Sequence, residues 1–424
     1  MKKLYIKTFG CQMNEADSEL IAASFKRRNF EITQNLKEAD VAVLNTCTVR
    51  QLAEDKAISM IGRLRKWKLL KPSRKIIVAG CAVEKLGNKD ILSRFPFVNL
   101  TIGAKSINKF DDALNNIVGK AKKPQKQKPT PEASLFNSPI TAYITVTRGC
   151  SLKCSYCIVP AVRGEAEHIA PDEIIKEVKV KIKNGAKEMV LLGQTVNSYS
   201  SQYKGKKINF ADLLKLISKI DGVKRIRFMS PHPLFFNESF FKLFKKDTKI
   251  ARHIHLPAQS GSDRILKLMR RGYTKKQYLD IIGKLRLADK DTAISTDFIV
   301  GYPGETEKDF NETLKLAKAG NFNFAFCFKY SPRTDEDCKS KNLIPKEILK
   351  KRLDILLKTI KLNSKEIFNS RIGKMAEVLI EDNNYGRSSK NFKVKIDKLF
   401  EPGKLLKAKI VKNEKNTLHG KVVK

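Results

Sequence analysis

A chain of 424 residues, 42% of them apolar, can bury ordinary cores in two or three domains, and it has no run of about 18 apolar residues that would cross a membrane as a helix. Its 84 Lys and Arg stand against 44 Asp and Glu, a formal net charge of +40. A field of that size attracts polyanions, nucleic acid ahead of a membrane surface, since no basic amphipathic helix with a Trp/Phe face stands out.

The opening MKKLYIKTFGCQMN lacks the apolar region of a signal peptide, so a cytoplasmic location is expected. Eight cysteines in that compartment point to metal or redox chemistry and away from a disulfide framework. In the first block, residues 1–118, the runs KLYIKT, VAVLN, KIIVA and VNLTIG read as strands, while Glu15–Lys26 and Arg50–Lys66 have helical spacing. This alternation predicts a doubly wound parallel sheet with helices on both faces. Residues 119–138 are lysine- and proline-rich with little apolar content, and read as a basic linker.

The second block, residues 139–370, repeats one strand-helix unit. Six strand runs recur: TAYITVT, KEMVLL, RIRFM, RHIHL, AISTDFIV and FAFCFKY. Between the first two, Ile174, Ile175, Val178 and Ile182 form one apolar helix face, with Pro171 near the start and Gly185 just past the end. The repeats predict an incomplete β/α barrel. The loops after the strands are RGCSLKCSYC, GQTVNSY, SPHP, PAQSGSD, GYPGET and SPRT. Barrel sites lie at the C-terminal strand ends, so these loops should ring one site. The third block, residues 371–424, holds the short strand runs MAEVLIE, FKVKI, LLKAKIVK and TLHGKVV, punctuated by Gly373, Gly386, Gly403 and Gly420. That rhythm predicts a small β-barrel, and its lysines suit a nucleic-acid backbone.

Cys150, Cys154 and Cys157 are spaced CxxxCxxC. Three such thiolates can hold one iron-sulfur cluster, which normally takes four ligands, so one iron would keep an open position for a substrate or cofactor. A zinc site is the alternative, but it usually pairs two CxxC motifs or adds histidines, and neither pattern is present. Cys11, Cys47 and Cys81 form a second trio, each directly following an expected strand. Strand ends of a doubly wound sheet converge on one crevice, so a second cluster is expected there; three small buried residues is the alternative. Cys327 alternates within a strand and reads as core packing, and Cys338 has no pattern.

The CxxxCxxC spacing resembles that of the radical S-adenosylmethionine (SAM) superfamily. TFGCQMNEADSE, NTCTVRQLAEDK, RGCSLKCSYCIVPAVRG, LLGQTVNSY, HLPAQSGSDRILKLMRRGYT and STDFIVGYPGETEKDF resemble the methylthiotransferase family within it, across essentially the whole chain. GCQMN and NTCTVR favour the tRNA branch over the ribosomal-protein branch (GCPKN) and the threonylcarbamoyl-adenosine branch (GCKVN). The resemblance implies an N-terminal methylthiotransferase domain, a radical SAM barrel and a C-terminal TRAM domain. It implies two 4Fe-4S clusters, one on Cys150, Cys154 and Cys157 that binds SAM, and an auxiliary one on Cys11, Cys47 and Cys81 that handles the added sulfur. The implied product carries a methylthio group at C2 of a prenylated adenosine beside the anticodon. Implied partners are a tRNA anticodon stem-loop, a sulfur donor and an electron donor such as flavodoxin or ferredoxin, with no membrane. The same chemistry on another substrate, and a non-catalytic iron-sulfur RNA-binding protein, are the rival readings.

The family resemblance also sets Ile299, Val300 and Gly301 against SAM. Gln259, Ser260 and Ser262 offer polar groups at a strand end, with helix capping by Ser262 or Asp263 as the plain alternative. Arg163 is placed among the SAM contacts; Arg163 and Arg270 suit a phosphate or carboxylate, or are solvated. His232 sits between two prolines, and Asp297 lies inside a strand where a charge needs a partner. Two segments depart from the family pattern. RGxExSR reads Arg163-Gly164-Glu165-Ala166-Glu167-His168-Ile169, in which Glu165, Glu167 and His168 could supply substitute polar contacts. PGT after the last barrel strand reads Arg333-Thr334-Asp335.

Overall fold

The computed structural model describes residues 1–120, 140–333 and 343–423. They fall into two compact units. The first takes the N-terminal residues with Arg148–Leu152 and Cys157–Glu167; the second takes the residues up to Thr147, Lys153–Tyr156 and everything from His168 onward. Residues 121–138 of the expected linker, Thr334, Asp335 and Cys338 lie outside the described residues.

In the first unit five parallel strands, β1 (Lys2–Thr8), β2 (Phe30–Ile32), β3 (Val41–Thr46), β4 (Lys75–Gly80) and β5 (Leu100–Gly103), are ordered β2-β1-β3-β4-β5. This is the doubly wound sheet expected, with the short edge strand β2 added. Three residues, FEI, are too few for a period to show. Every residue of β3 is buried, because both faces are covered. Leu4, Val43 and Ile77 pack on Ile21 and Phe25 of α1 (Gln12–Lys26). Ala42, Leu44 and Val78 pack on Ile61, Leu64 and Trp67 of α2 (Gln51–Leu69). The chain leaves β1 toward β2 on one side and returns to β3 on the other, which opens a crevice at the carboxyl ends of β1 and β3.

In the second unit all six expected runs are strands: β6 (Thr141–Thr145), β7 (Glu188–Leu192), β8 (Arg225–Phe228), β9 (His253–His255), β10 (Ala293–Val300) and β11 (Phe324–Lys329). They form two parallel three-stranded sheets, β6-β7-β8 and β9-β10-β11, joined by a parallel bridge from Ile226 to Ile250. The helix Pro171–Lys183 buries Ile174 and Val178 as its spacing predicts, and Gly185 follows at φ +100°.

Side chains alternate along each strand. Ile144, Leu191, Ile226, Phe228, Ile254, Ile294 and Phe298 join the helices in one core. The opposite face carries Glu188, Arg225, Arg227, His253, His255, Ser295 and Asp297 beside Val190, Leu192 and Ile299, so the concave side of this barrel mixes polar and apolar groups. Cys327 packs on the apolar side against that core, as expected.

The C-terminal strands β12 (Met375–Asp382), β13 (Tyr385–Ser388), β14 (Lys393–Ile396), β15 (Leu405–Glu414) and β16 (Thr417–Val422) close a barrel in the order β12-β13-β14-β16-β15. The strand YGRS has no apolar alternation to announce it. Gly373 and Gly403 do mark turns, at φ +84° and +90°. Gly386 and Gly420 are instead inside strands, where a Cβ would stand 2.2 Å from the Leu379 carbonyl and 3.1 Å from the Ala408 methyl; close strand approach, not a turn, requires them.

The long helix Lys346–Asn369 shares Leu356 and Ile360 with the β/α core and Ile367 with the small barrel's core. Buried Arg225 donates to the Arg387 carbonyl at 2.9 Å, a second tie between the two barrels.

Candidate functional site

The first unit brings Cys11, Cys47 and Cys81 to the ends of three adjacent strands, β1, β3 and β4, at the crevice. Cys11 is exposed and precedes α1; Cys47 and Cys81 are buried, Cys81 opening the short helix α3 (Cys81–Leu86). Gly10 lies at φ +114°, and a Cβ there would meet the Cys47 Cβ at 2.5 Å and its Sγ at 2.8 Å. Gly80, at φ +103°, would strike the Thr46 carbonyl at 2.4 Å. Only glycine suits both positions.

A polar net fixes the crevice floor. Asn14, fully buried on α1, donates from Nδ2 to the Thr46 carbonyl at 2.9 Å and to Asn45 Oδ1 at 3.2 Å. Its Oδ1 accepts from Cys11 Sγ and from Arg163 Nη2, each at 3.3 Å. Asp17, one turn on, pairs with Arg163 at 3.0 Å and Arg148 at 2.7 Å.

Burial opposes the Arg163 charge, but Asp17 and the Cys81 and Cys11 sulfurs outweigh it and raise its pKa. Burial pushes the Cys81 thiol up to about 12, against the pull of Arg163, which hydrogen-bonds it. Cys47 is raised by burial and then by Cys11. These sulfurs therefore sense one another, and a buried cation stands ready to offset the negative charge that thiolate ligation brings. Among the described residues no three His, Cys, Asp or Glu side chains form a single-ion site.

In the same unit, a Cβ on Gly149 would stand 1.9 Å from the Glu165 carbonyl, and Cys150 N donates to the Gly164 carbonyl at 3.0 Å. The segment carrying Cys150 thus needs the Arg163-Gly164 turn. Arg148, Gly149, Arg163, Gly164, Glu167 and Lys105 line a cavity of about 140 Å³.

In the second unit the Cys154 sulfur accepts from Arg271 Nη1 at 3.3 Å. Ser155 Oγ donates to the Leu268 carbonyl at 2.9 Å and meets Tyr302 Oη, from GYPGE, at 2.8 Å. His232 is buried, accepts from Leu234 N at Nδ1, and sets its ring edge-on to Tyr273 at 5.5 Å. Burial and then Arg271 push its pKa down to about 2, so it is a neutral ring that caps and packs. Asp297 faces His255 Nε2 at 3.4 Å on the concave side of the barrel.

The remaining candidates divide by side. Ile299 shares the concave face with Asp297, by strand alternation. Val300 is fully buried in the core, and its carbonyl accepts from Tyr330 N. Gly301 takes φ +80°, and its N–H donates to Glu305 at 2.9 Å. Gln259 takes φ +69°, and its backbone pairs with β10 on both sides of Phe298. Ser260 bonds Thr313 at 3.3 Å, and Ser262 caps the helix Asp263–Leu268. Arg270 is exposed at φ +55°, and its buried neighbour is Arg271. His168 bonds Thr147 at 3.0 Å and abuts Tyr199, and burial lowers its pKa.

Sequence reasoning passed over Asn14, Asp17, Arg148 and Arg271. All four lie inside quoted motifs: GCQMNEAD puts Asn14 and Asp17 three apart on one helix face, and RGC and RRGY hold the arginines.

Residues 144–317 match the Radical SAM superfamily, and residues 3–103 match the Uncharacterized protein family UPF0004. The tRNA-2-methylthio-N(6)-dimethylallyladenosine synthase of Nitratiruptor sp. is 40% identical over 433 residues, covering 100% of this chain and 99% of the relative. That of Endomicrobium trichonymphae is 42% identical over 378 residues, 89% of this chain and 88% of the relative. The chain belongs to the tRNA-2-methylthio-N(6)-dimethylallyladenosine synthase family. Among solved structures, the radical S-adenosylmethionine methyltransferase TsrM from Kitasatospora setae aligns with a TM-score of 0.56 at 12% identity, covering 77% of this chain and 73% of that one. At that identity the likeness speaks for the fold alone. The fold that family membership implies is the one described: a doubly wound sheet, an open β/α barrel and a closed five-stranded barrel of the TRAM kind.

Proposed function

We infer that the chain is a radical SAM methylthiotransferase that installs a methylthio group at C2 of N6-dimethylallyladenosine in tRNA. The observation that carries this is full-length identity of about 40% to relatives named for that reaction, in a chain with both cysteine trios. SAM and 4Fe-4S clusters are its cofactors. Cys150, Cys154 and Cys157 would hold the cluster that binds SAM, and Cys11, Cys47 and Cys81 the auxiliary one. Bound there, these groups supply reductive SAM cleavage, hydrogen removal at the adenine C2 and a methylated sulfur.

The chain's own residues supply space, charge and orientation. Gly10 keeps a side chain off the Cys47 sulfur, and Gly80 and Gly149 let the backbone before Cys81 and Cys150 approach Thr46 and Glu165. Arg163 and Arg271 place a buried positive charge beside Cys81 and Cys154. On the concave face His255 and Asp297 offer polar groups to a nucleoside, and Ile299 an apolar surface. The small barrel and its lysines suit the anticodon stem-loop backbone. A flavodoxin or ferredoxin as electron donor, a separate sulfur donor and a cytoplasmic location complete the reading; among the described residues no helix is long and apolar enough to cross a membrane. Domain limits at 118, 138 and 370 are proposed on the same basis.

The test is SAM turnover. Reconstituted protein with dithionite should form more 5′-deoxyadenosine with tRNA bearing N6-dimethylallyladenosine than with tRNA bearing threonylcarbamoyl-adenosine or unmodified adenosine. Equal turnover with all three would refute the substrate assignment.

A further inference from the structure

Each cysteine trio has one buried arginine on a sulfur, and the two arginines differ in their counter-charge. Arg163 is 9% exposed; it hydrogen-bonds Cys81 and pairs at 3.0 Å with Asp17, itself 1% exposed. A carboxylate therefore offsets its charge in part, because Asp17 also pairs with Arg148 at 2.7 Å. Arg271 is 5% exposed and donates to Cys154 Sγ at 3.3 Å, to Tyr273 Oη at 3.1 Å and to the Pro257 carbonyl at 3.4 Å. Among the described residues no carboxylate pairs with it.

Tyr273 and His232 cannot stand in for one. Tyr273 donates its own proton to the Ala258 carbonyl at 2.9 Å, and burial holds its phenol protonated. His232, stacked edge-on to Tyr273, stays neutral. Arg271 is thus a buried positive charge with no carboxylate partner among the described residues, beside Tyr156 and one hydrogen bond from Cys154.

The potential of an iron-sulfur cluster follows its net charge, the hydrogen bonds to its sulfurs and its exposure. Added negative charge is stabilised by a nearby uncompensated cation, more strongly where water is excluded. We propose that Arg271 is a redox-positioning residue: its buried charge, met by no carboxylate among the described residues, and its N–H to the Cys154 sulfur raise the reduction potential of the cluster on Cys150, Cys154 and Cys157. Asp17, though shared with Arg148, weakens the same influence of Arg163 on the auxiliary cluster. An electron from a low-potential one-electron donor then settles at the cluster that binds SAM, where it is needed. The inference rests on the ligand assignment under Proposed function.

The experiment is an anaerobic redox titration of the full-length holoenzyme with dithionite, followed by electron paramagnetic resonance; the cluster that binds SAM is recognised by its signal changing on addition of SAM. In Arg271→Gln that cluster should need a more negative potential, with a roughly tenfold lower reduced-to-oxidised ratio at fixed potential, ~59 mV for one electron. Arg271→Lys should recover part of the shift. Asp17→Asn should move the auxiliary cluster the other way and leave the first in place. Unchanged potentials in Arg271→Gln with both clusters loaded overturn the proposal. If that variant loses iron, Arg271→Lys decides: a potential unchanged from wild type with the cluster loaded overturns the proposal. A wild-type protein lacking a SAM-responsive cluster overturns the ligand assignment itself, which is a different result.

Discussion

A Cβ added to Gly10 would stand 2.8 Å from the Cys47 sulfur, though the two residues belong to different strand ends. The close approach brings the first cysteine of the chain to the second. Gly10→Ala must adopt φ +114° and displace Cys47. The strain alone is ~1–3 kcal/mol. The variant should melt lower and, after reconstitution, hold about half the wild-type iron, the share on Cys150, Cys154 and Cys157 remaining. Undiminished iron would show that the crevice does not gather these sulfurs.

The two trios should separate by substitution. Wild-type protein should hold about eight irons as two four-iron clusters. Changing Cys150, Cys154 and Cys157 together to Ala should halve the iron and abolish SAM cleavage. Changing Cys11, Cys47 and Cys81 should halve the iron and leave some cleavage. Iron analysis and 5′-deoxyadenosine assay read both, and full iron in either triple variant contradicts the assignment.

Much of this architecture was legible in the sequence, because the strongest signals are periodic. Six barrel strands and four of the five strands in the N-terminal sheet followed from apolar runs. Among the strands missed, FEI, YGRS and the hairpin pair SSQY and KKIN are too short or too polar for a period. Glycine in Gly386 and Gly420 read as turns because sequence shows the residue and hides its neighbours; across the strand lie the Leu379 carbonyl and the Ala408 methyl. In the site, cysteine spacing is local and visible. The counter-charges are not: Asp17 and Arg163 are 146 residues apart, and Cys154 and Arg271 are 117 apart.

The small barrel should bind RNA through exposed lysines. On β15, Leu406, Ala408 and Ile410 point inward while Lys407 and Lys409 are exposed. Lys407→Ala with Lys409→Ala should weaken tRNA binding and flatten the dependence of log affinity on log salt by up to about two. An unchanged slope would remove this strand from the interface. Deleting residues from 371 onward is a less clean probe, because Arg225 would lose its acceptor on Arg387 and stay buried unpaired.

Cys327 gives a pH test outside the site. Burial, and then Asp297, push its thiol from about 9 to about 12. The folded state therefore keeps a proton that the unfolded state loses. That contribution is complete below pH ~9 and is lost as the pH rises toward ~12. Denaturation between those limits should show wild type losing stability faster than Cys327→Ala. Parallel curves would place the thiol in contact with water.

Mass analysis of nucleosides reads the reaction on tRNA directly. After anaerobic incubation with SAM, reductant, a sulfur source and tRNA bearing N6-dimethylallyladenosine, the reconstituted protein should convert that nucleoside to its 2-methylthio derivative. Cys11→Ala should abolish the conversion. SAM consumed to 5′-deoxyadenosine with the nucleoside left unchanged, across repeated reconstitutions that hold both clusters, would contradict the account.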